Sequence, residues 1–487
     1  MKLSIKKIFL LPLILLFFPA FCIWISVKPI VIYYLISIAV FGLILFVKPK
    51  YLFYQLKILY KTSAFRYYLL FAIWCIFSGL LLVLLGKYKL NVYLYYIFSL
   101  LLIDYGLTYI LPVFVFNNRN FNIRFFSKIF LSIYFIIFAI GILEFFGKTF
   151  GIDILIFPSD FLGNQRLISN YDTIHYLDRV RSIFAEPGWL GGFIFLNMPV
   201  LYSLTLSKYK IFDNNFINLF IKKSLIPMMW ITIIIEQSAI WLIFNLILTV
   251  FYFRKYILRF IKKYFLFLLI IFLMIICLII LSFNSLSALD LGFYNRIFNF
   301  FMNLNNFDQL IKNDTSLGMR LVSYLITVKI GINNWLLGVG LGNTGYIFPT
   351  YYSPLNFPYL VELTQNYTKS FYLTDKMSYN GAIPYQFFAE TGIIGLSLFY
   401  LFVYKTYKML NKVKLFFTNL EYDFIQGLSF TVISSAIIIF YDIPEAYYYI
   451  WFLFGLTNIF IFKAREIIIS KTRRSYDTKS ISNNTGV

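Results

Sequence analysis

An arginine and a carboxylate stand five residues apart at the edge of an apolar run, in the stretch Asp178-Arg-Val-Arg181-Ser-Ile-Phe184-Ala-Glu186-Pro187-Gly-Trp. Arginine keeps its charge and bonds phosphate oxygens through a planar fork. A carboxylate can take a proton from an attacking hydroxyl, a contribution of roughly 10² to 10⁴ in rate. The pair therefore offers an anion clamp beside an acid or base at a membrane surface. The same residues also suit a helix start, since Pro187 fits a first turn and Glu186 favours the positive end of the helix dipole. Spacing alone favours the helix start.

Two further patches carry polar groups in apolar surroundings. Ser316-Leu-Gly-Met-Arg320 opens a segment in which Arg320, Ser323, Thr327 and Asn334 share one stripe. Leu321, Leu325, Val328 and Ile332 share another, which predicts an amphipathic helix over 316–334. Gly338-Val-Gly340-Leu-Gly342-Asn343 follows. Its glycines do not follow a strand of a βαβ unit, so a dinucleotide fingerprint is not indicated, and a tight turn with close backbone packing is favoured. The last patch is Asn380-Gly-Ala-Ile-Pro-Tyr-Gln386-Phe-Phe-Ala-Glu390-Thr-Gly392-Ile-Ile-Gly395. Glu390 falls inside an apolar run, where an ionisable group costs about 2.5 kcal/mol or more unless it faces a cavity or a partner. It is either a functional group or a hydrogen-bond acceptor for neighbouring helices. Asp104, Glu144 and Glu236 pose the same question with less context.

Other chemistry is poorly represented. His175 is the sole histidine, in a polar loop, and suits an ordinary surface position. No Cys/His cluster suggests a zinc site, and no metal or cofactor is expected. Cys22, Cys75 and Cys277 all lie in apolar runs and are expected to be inert core thiols.

The elements that position these residues follow from composition. Apolar residues make up 60% of the 487-residue chain and charged ones 13%, against about 45–50% and 25% in soluble domains. The chain is a series of apolar runs of membrane-spanning length separated by basic clusters. A helix needs about 20 apolar residues to cross the hydrocarbon, and bare backbone in lipid must be helical. The predicted spans are Ile8–Val27, Ile30–Val47, Tyr67–Leu85, Val92–Phe116, Ile129–Phe146 and Trp189–Leu206. Next comes a stretch from Leu225 to Phe253, too long for one span and short for two, interrupted by Glu236, Gln237 and Ser238. Two helices meeting at that interruption are expected. Tyr264–Leu281, Ile383–Tyr404, Phe424–Tyr441 and Ala446–Phe462 complete the set. Lys6 and Lys7 ahead of the first run resemble a signal, but the large Phe21 before Cys22 and the early second run favour an uncleaved first span.

The fold class expected is thus an all-α polytopic membrane protein with about twelve transmembrane helices and both termini cytoplasmic. Residues 1–465 form one integral membrane domain and 466–487 a cytoplasmic polar tail. Two larger extracytoplasmic loops run over 147–188 and 282–382, the second bearing the amphipathic helix. Charge agrees with that orientation. Of 43 Lys and Arg, most fall in the segments placed inside, and those placed outside are nearly neutral. The net charge of +22 therefore sets topology and contacts anionic membrane lipids. It does not point to nucleic acid.

The three patches, in their order and spacing, resemble the O-antigen polymerase and O-antigen ligase superfamily of bacterial surface-polysaccharide assembly. They are Arg181 to Pro187, Arg320 with the following Gly-Val-Gly-Leu-Gly-Asn, and Asn380 to Gly395. The spans and the large late outer loop are similar too. The resemblance implies a metal-independent GT-C-type glycosyltransferase of the bacterial cytoplasmic (inner) membrane. Its donor would be an undecaprenyl-diphosphate-linked oligosaccharide, and a chain-length regulator and a flippase would be further partners. By motif, Arg181 and Arg320 would contact the donor diphosphate and Glu186 would act as base. Arg179, Asn343, Asn380 and Glu390 would line the substrate site. Ligases of this superfamily commonly carry a histidine just before the last patch, where this chain has Met377-Ser-Tyr-Asn380. That departure favours a polymerase of repeat units, for O-antigen or capsule, over a ligase using lipid A-core.

A membrane transporter is the alternative of a different class. No internal repeat or pair of short broken helices supports it. Tyr346, Tyr351, Tyr352, Tyr359 and Tyr372 offer faces for sugar rings, although 22% of the whole chain is aromatic.

Overall fold

A computed structural model describes residues 42, 49–115, 122–156, 180, 182, 187–236, 238, 241–259, 315–352, 383–438 and 447–484. Every regular element among them is helical. In chain order they are α1 (Pro49–Tyr60), α2 (Ser63–Leu84), α3 (Leu90–Tyr96), a π-helical segment (Ile97–Leu107), α4 (Thr108–Val115), α5 (Ile123–Phe150), α6 (Pro187–Thr205) and α7 (Asn215–Ile235). Then come α8 (Trp241–Arg259), α9 (Thr315–Asn333), α10 (Thr344–Tyr352), α11 (Ile383–Val413), α12 (Asn419–Ile438) and α13 (Tyr447–Asn484). Five of the described helices, α2, α5, α7, α8 and α11 from Gln386, are long and apolar enough to cross a membrane, and shorter apolar helices accompany them. The chain is a multi-pass membrane protein. The expected spans Ile8–Val27 and Tyr264–Leu281, and Ile30–Val47 apart from Gly42, lie outside the described residues.

Where hydropathy and structure differ, polar capping accounts for much of the difference. Helix α2 starts at Ser63 rather than Tyr67 because the Thr62 side chain accepts from the Phe65 amide. Asn122 caps α5 in the same way, and Gly151, at φ 68°, ends it, so the helix outruns its apolar stretch at both ends. Asn214 accepts from the amides of Phe216 and Ile217, which starts α7 ten residues before Leu225. That extension gives the Leu225–Phe253 stretch room for two full helices. They break where the polar residues stand, with Glu236 as the C-cap of α7 and Trp241 opening α8. At the far end, α13 continues as helix through the polar segment from Glu466 to Asn484.

Helix α9 matches the amphipathic segment in extent, but the polar stripe and the apolar stripe do not divide cleanly between outside and inside. Ser323 and Thr327 are buried, and the Thr327 hydroxyl donates to Ser323 O at 2.7 Å. Leu325 and Ile332 are more than half exposed, as is Trp335 just beyond the helix. The buried face also holds Val322, Ile326 and Ile330, and Lys329 shares the exposed face with Leu325 and Ile332.

Close helix contacts rest on small residues. Helices α5 and α7 run parallel: Arg124 and Lys128 at the start of α5 pair with Asp213 just before α7, and Gly141 further along faces Thr232. A Cβ on Gly427 of α12 would meet the α6 backbone at Val200 and Pro199 within 2.9 Å, and one on Gly455 of α13 would meet Tyr109 O at 2.2 Å. Helix α2 lies antiparallel to α11, with Ser63 beside Met409 and Trp74 beside Thr391. Between them the rings of Tyr68 and Tyr109 stack at 5.2 Å and those of Phe402 and Trp451 at 5.6 Å, an apolar plug that fixes the two helices.

Candidate functional site

The turn Gly338-Val-Gly-Leu-Gly342-Asn343 is held against a break in α11. At that break Gly392 takes φ 67° and ψ −173°, a conformation that interrupts the helical ladder. Carbonyls freed by such a break must find other donors, because lipid supplies none. The Val339 amide donates to Ala389 O at 2.8 Å and the Gly340 amide to Glu390 O at 2.9 Å. The indole of Trp74 donates to Thr391 O at 2.8 Å. In return, the Ile393 amide donates to Trp335 O at 2.8 Å. The turn and the broken helix thus complete each other's backbone bonding.

The glycines are there for conformation and approach. Gly338, Gly340 and Gly342 have φ of 73°, 94° and 73°, in the left-handed region that side chains disfavour. A Cβ on Gly338 would lie 2.3 Å from the Glu390 carbonyl, one on Gly340 2.6 Å from the Tyr88 ring and one on Gly342 2.2 Å from the Tyr96 ring. The expected close-packed turn is what the structure contains.

Glu390 and Asn343 both sit inside this unit, 3% and 5% exposed. Gln386 Nε2 donates to Glu390 Oε1 at 3.1 Å, and the main-chain amides of Gly342 and Thr344 face the carboxylate and favour its charged form. Those amides lie at the start of α10, so the carboxylate caps that helix from another part of the chain. Asn343 Nδ2 donates to Val339 O at 2.7 Å and to Lys87 O at 3.4 Å. Glu390 and Asn343 therefore fasten the turn to its surroundings.

Arg320 contributes its backbone to the first turns of α9, and its side chain lies outside the described atoms. The far end of α9 reaches the same unit, where a Cβ on Gly331 would clash with the Phe388 ring at 2.4 Å. Eleven residues at about 1.5 Å each set Arg320 roughly 16 Å back along the axis from that contact. Arg179, Arg181, Glu186 and Asn380 lie outside the described residues. So do His175, Cys22 and Cys277, while Cys75 is buried in α2.

The immediate neighbours of Arg181 are described. Val180 and Ser182 are both fully buried against α5. The Ser182 amide donates to Glu144 Oε2 at 2.7 Å, and its hydroxyl donates to Ile137 O at 2.7 Å. Lys148, one turn on, pairs with the other Glu144 oxygen at 2.7 Å. Glu236 is equally buried, and its Oε2 lies 2.5 Å from where a Cβ on Gly191 of α6 would stand. Because α5 and α7 run parallel, both carboxylates sit toward the same end of the helix pair. Glu144 meets the chain at Ser182, and Glu236 meets it at Gly191.

Tyr88, Tyr96 and Trp74 are the residues of this site that sequence reasoning did not single out. Tyr88 donates its hydroxyl to Leu341 O and walls the turn beside Gly340. In a chain with 40 tyrosines and 59 phenylalanines, aromatic identity carries no signal of its own. No protein-family model matches the chain, and no curated protein sequence does so at a significant level.

Proposed function

We propose that this protein polymerises lipid-linked oligosaccharide repeat units at the outer face of a bacterial cytoplasmic membrane, for O-antigen or capsule. On this reading about twelve helices span the membrane with both ends inside. The growing glycan moves from undecaprenyl diphosphate onto a hydroxyl of a new lipid-linked repeat unit. The new glycosidic C–O bond forms as the bond to the diphosphate breaks, and the diphosphate leaves as an anion. It needs little acid help but does need positive charge, which Arg181 and Arg320 supply, with Arg179 beside them. Glu186 takes the proton of the attacking hydroxyl. Asn380 binds the sugar portion, and Asn343 and Glu390 shape the site by holding the glycine turn.

The observation that supports this reading best is the bonded unit formed by the second and third resembling patches. Gly338–Asn343 and the Glu390–Gly392 break exchange main-chain hydrogen bonds, and Glu390 caps the helix that follows the turn. Patches far apart in sequence are thereby drawn together where α9, the helix of Arg320, ends.

The test is the lipid-linked glycan profile of a deletion strain complemented with variants. Arg181→Ala and Arg320→Ala are expected to insert normally and leave single repeat units on the lipid. Normal chain lengths in both variants would refute the polymerase. Long polymer retained on the carrier lipid would point instead to a ligase.

A further inference from the structure

We infer that a cleft at the basic end of the bundle seats the phosphate headgroup of an anionic phospholipid. It lies where the starts of α5 and α12 meet the α6–α7 connection, and its volume is about 550 Å³. Arg124, Tyr209, Lys210, Thr418, Asn419 and Glu421 line it. Two helix starts bring the positive ends of their dipoles to one place, and cationic side chains add to them. Two carboxylates oppose that charge, and both are matched. Glu421 pairs with Lys463 of α13, and Asp213 pairs with Arg124 at 3.0 Å and with Lys128. Lys210, whose charge also acts on Asp213, adds a further cation, so the balance at the cleft is positive.

The connection that carries Lys210 is pinned on both sides. Before it, Lys222 Nζ donates to Ser207 O and, at 3.1 Å, to Tyr209 O. After it, Arg124 Nε donates to Ile211 O at 3.0 Å, and Asn218 Oδ1 accepts from the Ile211 amide at 2.9 Å. Ile211 is fully buried, so the exposed Lys210 stands directly against an anchor. The rim of the cleft points to lipid as the occupant. Phe125 follows Arg124, and Leu415 and Phe416 shortly precede Thr418; all three are exposed. In a chain that crosses a bilayer such side chains meet acyl chains, while cations beside them reach the phosphate level. A headgroup joined to acyl chains answers both features, whereas free phosphate answers only the cleft. The inference is independent of the polymerase reading and needs only that this end of the bundle meets a membrane surface. On the orientation proposed above, that surface is the cytoplasmic leaflet.

Thermal unfolding of the purified full-length protein in a neutral detergent tests the site. Dioleoyl-phosphatidylglycerol, dioleoyl-phosphatidylcholine and inorganic phosphate are titrated separately, because a ligand of the folded state raises Tm saturably. Phosphatidylglycerol should do so, and the other two at the same concentrations should not. Lys210→Ala should weaken the apparent Kd for phosphatidylglycerol about fivefold, the share of one cation near an anionic surface, and Lys210→Glu by at least roughly tenfold. Lys210 is exposed, so both variants should fold. Lys57→Ala removes a cation from the last turn of α1, outside the cleft. It should change the Kd by less than about twofold. Equal weakening by Lys57→Ala and Lys210→Ala would reduce the effect to diffuse surface charge and overturn the inference. A shift of the same size from inorganic phosphate or phosphatidylcholine, or an unchanged Kd in Lys210→Glu, would overturn it as well.

Discussion

Replacing Gly338 by alanine tests the interlocked turn, and the structure separates the cost into parts. The φ of 73° places a side chain in the left-handed region, at about 1–2 kcal/mol. The added Cβ would also sit 2.3 Å from the carbonyl carbon and oxygen of Glu390 and 2.5 Å from the Thr391 amide nitrogen. These are backbone atoms of a helix packed on both sides, so they cannot swing away as a flexible side chain would. Forcing extra volume into such a contact costs about 1–3 kcal/mol. Moving the turn instead would stretch the Val339–Ala389 and Gly340–Glu390 bonds, each worth about 0.5–1.5 kcal/mol net. The expected destabilisation is therefore about 2–5 kcal/mol. Gly86 is the internal control: its φ is 69°, and nothing lies within 4 Å of its Cβ position. Gly86→Ala should show only the conformational part, about 1–2 kcal/mol. Thermal unfolding in detergent, followed by intrinsic tryptophan fluorescence, compares the two. Trp74 reports on the site directly through its bond to Thr391 O. Equal shifts in Tm for Gly338→Ala and Gly86→Ala would refute the close packing.

Two further outcomes follow from buried and surface carboxylates. Glu390→Ala should destabilise the protein by about 1–3 kcal/mol by leaving the Gly342 and Thr344 amides without an acceptor; Glu390→Gln should recover much of this in the same unfolding assay, and equal losses would contradict the capping role. Asp213 is held below its ordinary carboxyl value, first by its hydrogen bond to Lys128, then by the charges of Lys128 and Arg124. Its contribution is present above the unfolded value of about 3.9 and lost as pH falls through the lower folded value. Wild type and Asp213→Asn should therefore differ in Tm at neutral pH and converge in acid. Because Asp213 is fully exposed, the difference should be small and shrink in high salt. A gap that widens on acidification would show the sign to be wrong.

Much of the helical scaffold is legible in the sequence, because hydropathy and local caps act over short range. The apolar runs locate α2, α5, α6 and α11, and the polar triplet at Glu236 marks the break between α7 and α8. The glycine turn is legible as a turn for the same reason: three glycines in five residues relieve a local backbone constraint. The periodicity of α9 is equally visible, since an amphipathic pattern is a property of neighbouring residues. Which of its residues turn inward is not, because Val322, Ile326 and Ile330 are buried beside Ser323 and Thr327 by the helices packed against them.

Tertiary structure alone brought backbone donors to two of the buried carboxylates. Glu390 is matched by amides at Gly342 and Thr344, and Glu144 by the amide of Ser182, partners far off in the chain and supplied by backbone. A main-chain amide is present at every residue but proline, so no sequence pattern marks the one that will be chosen. The same holds for Tyr88 and Tyr96, which wall the glycine turn because the α2–α3 connection and the end of α3 deliver them there. Composition and periodicity determine that this chain is a helical membrane protein with charged groups it cannot leave unbonded. Only the packing of distant segments determines which groups answer them.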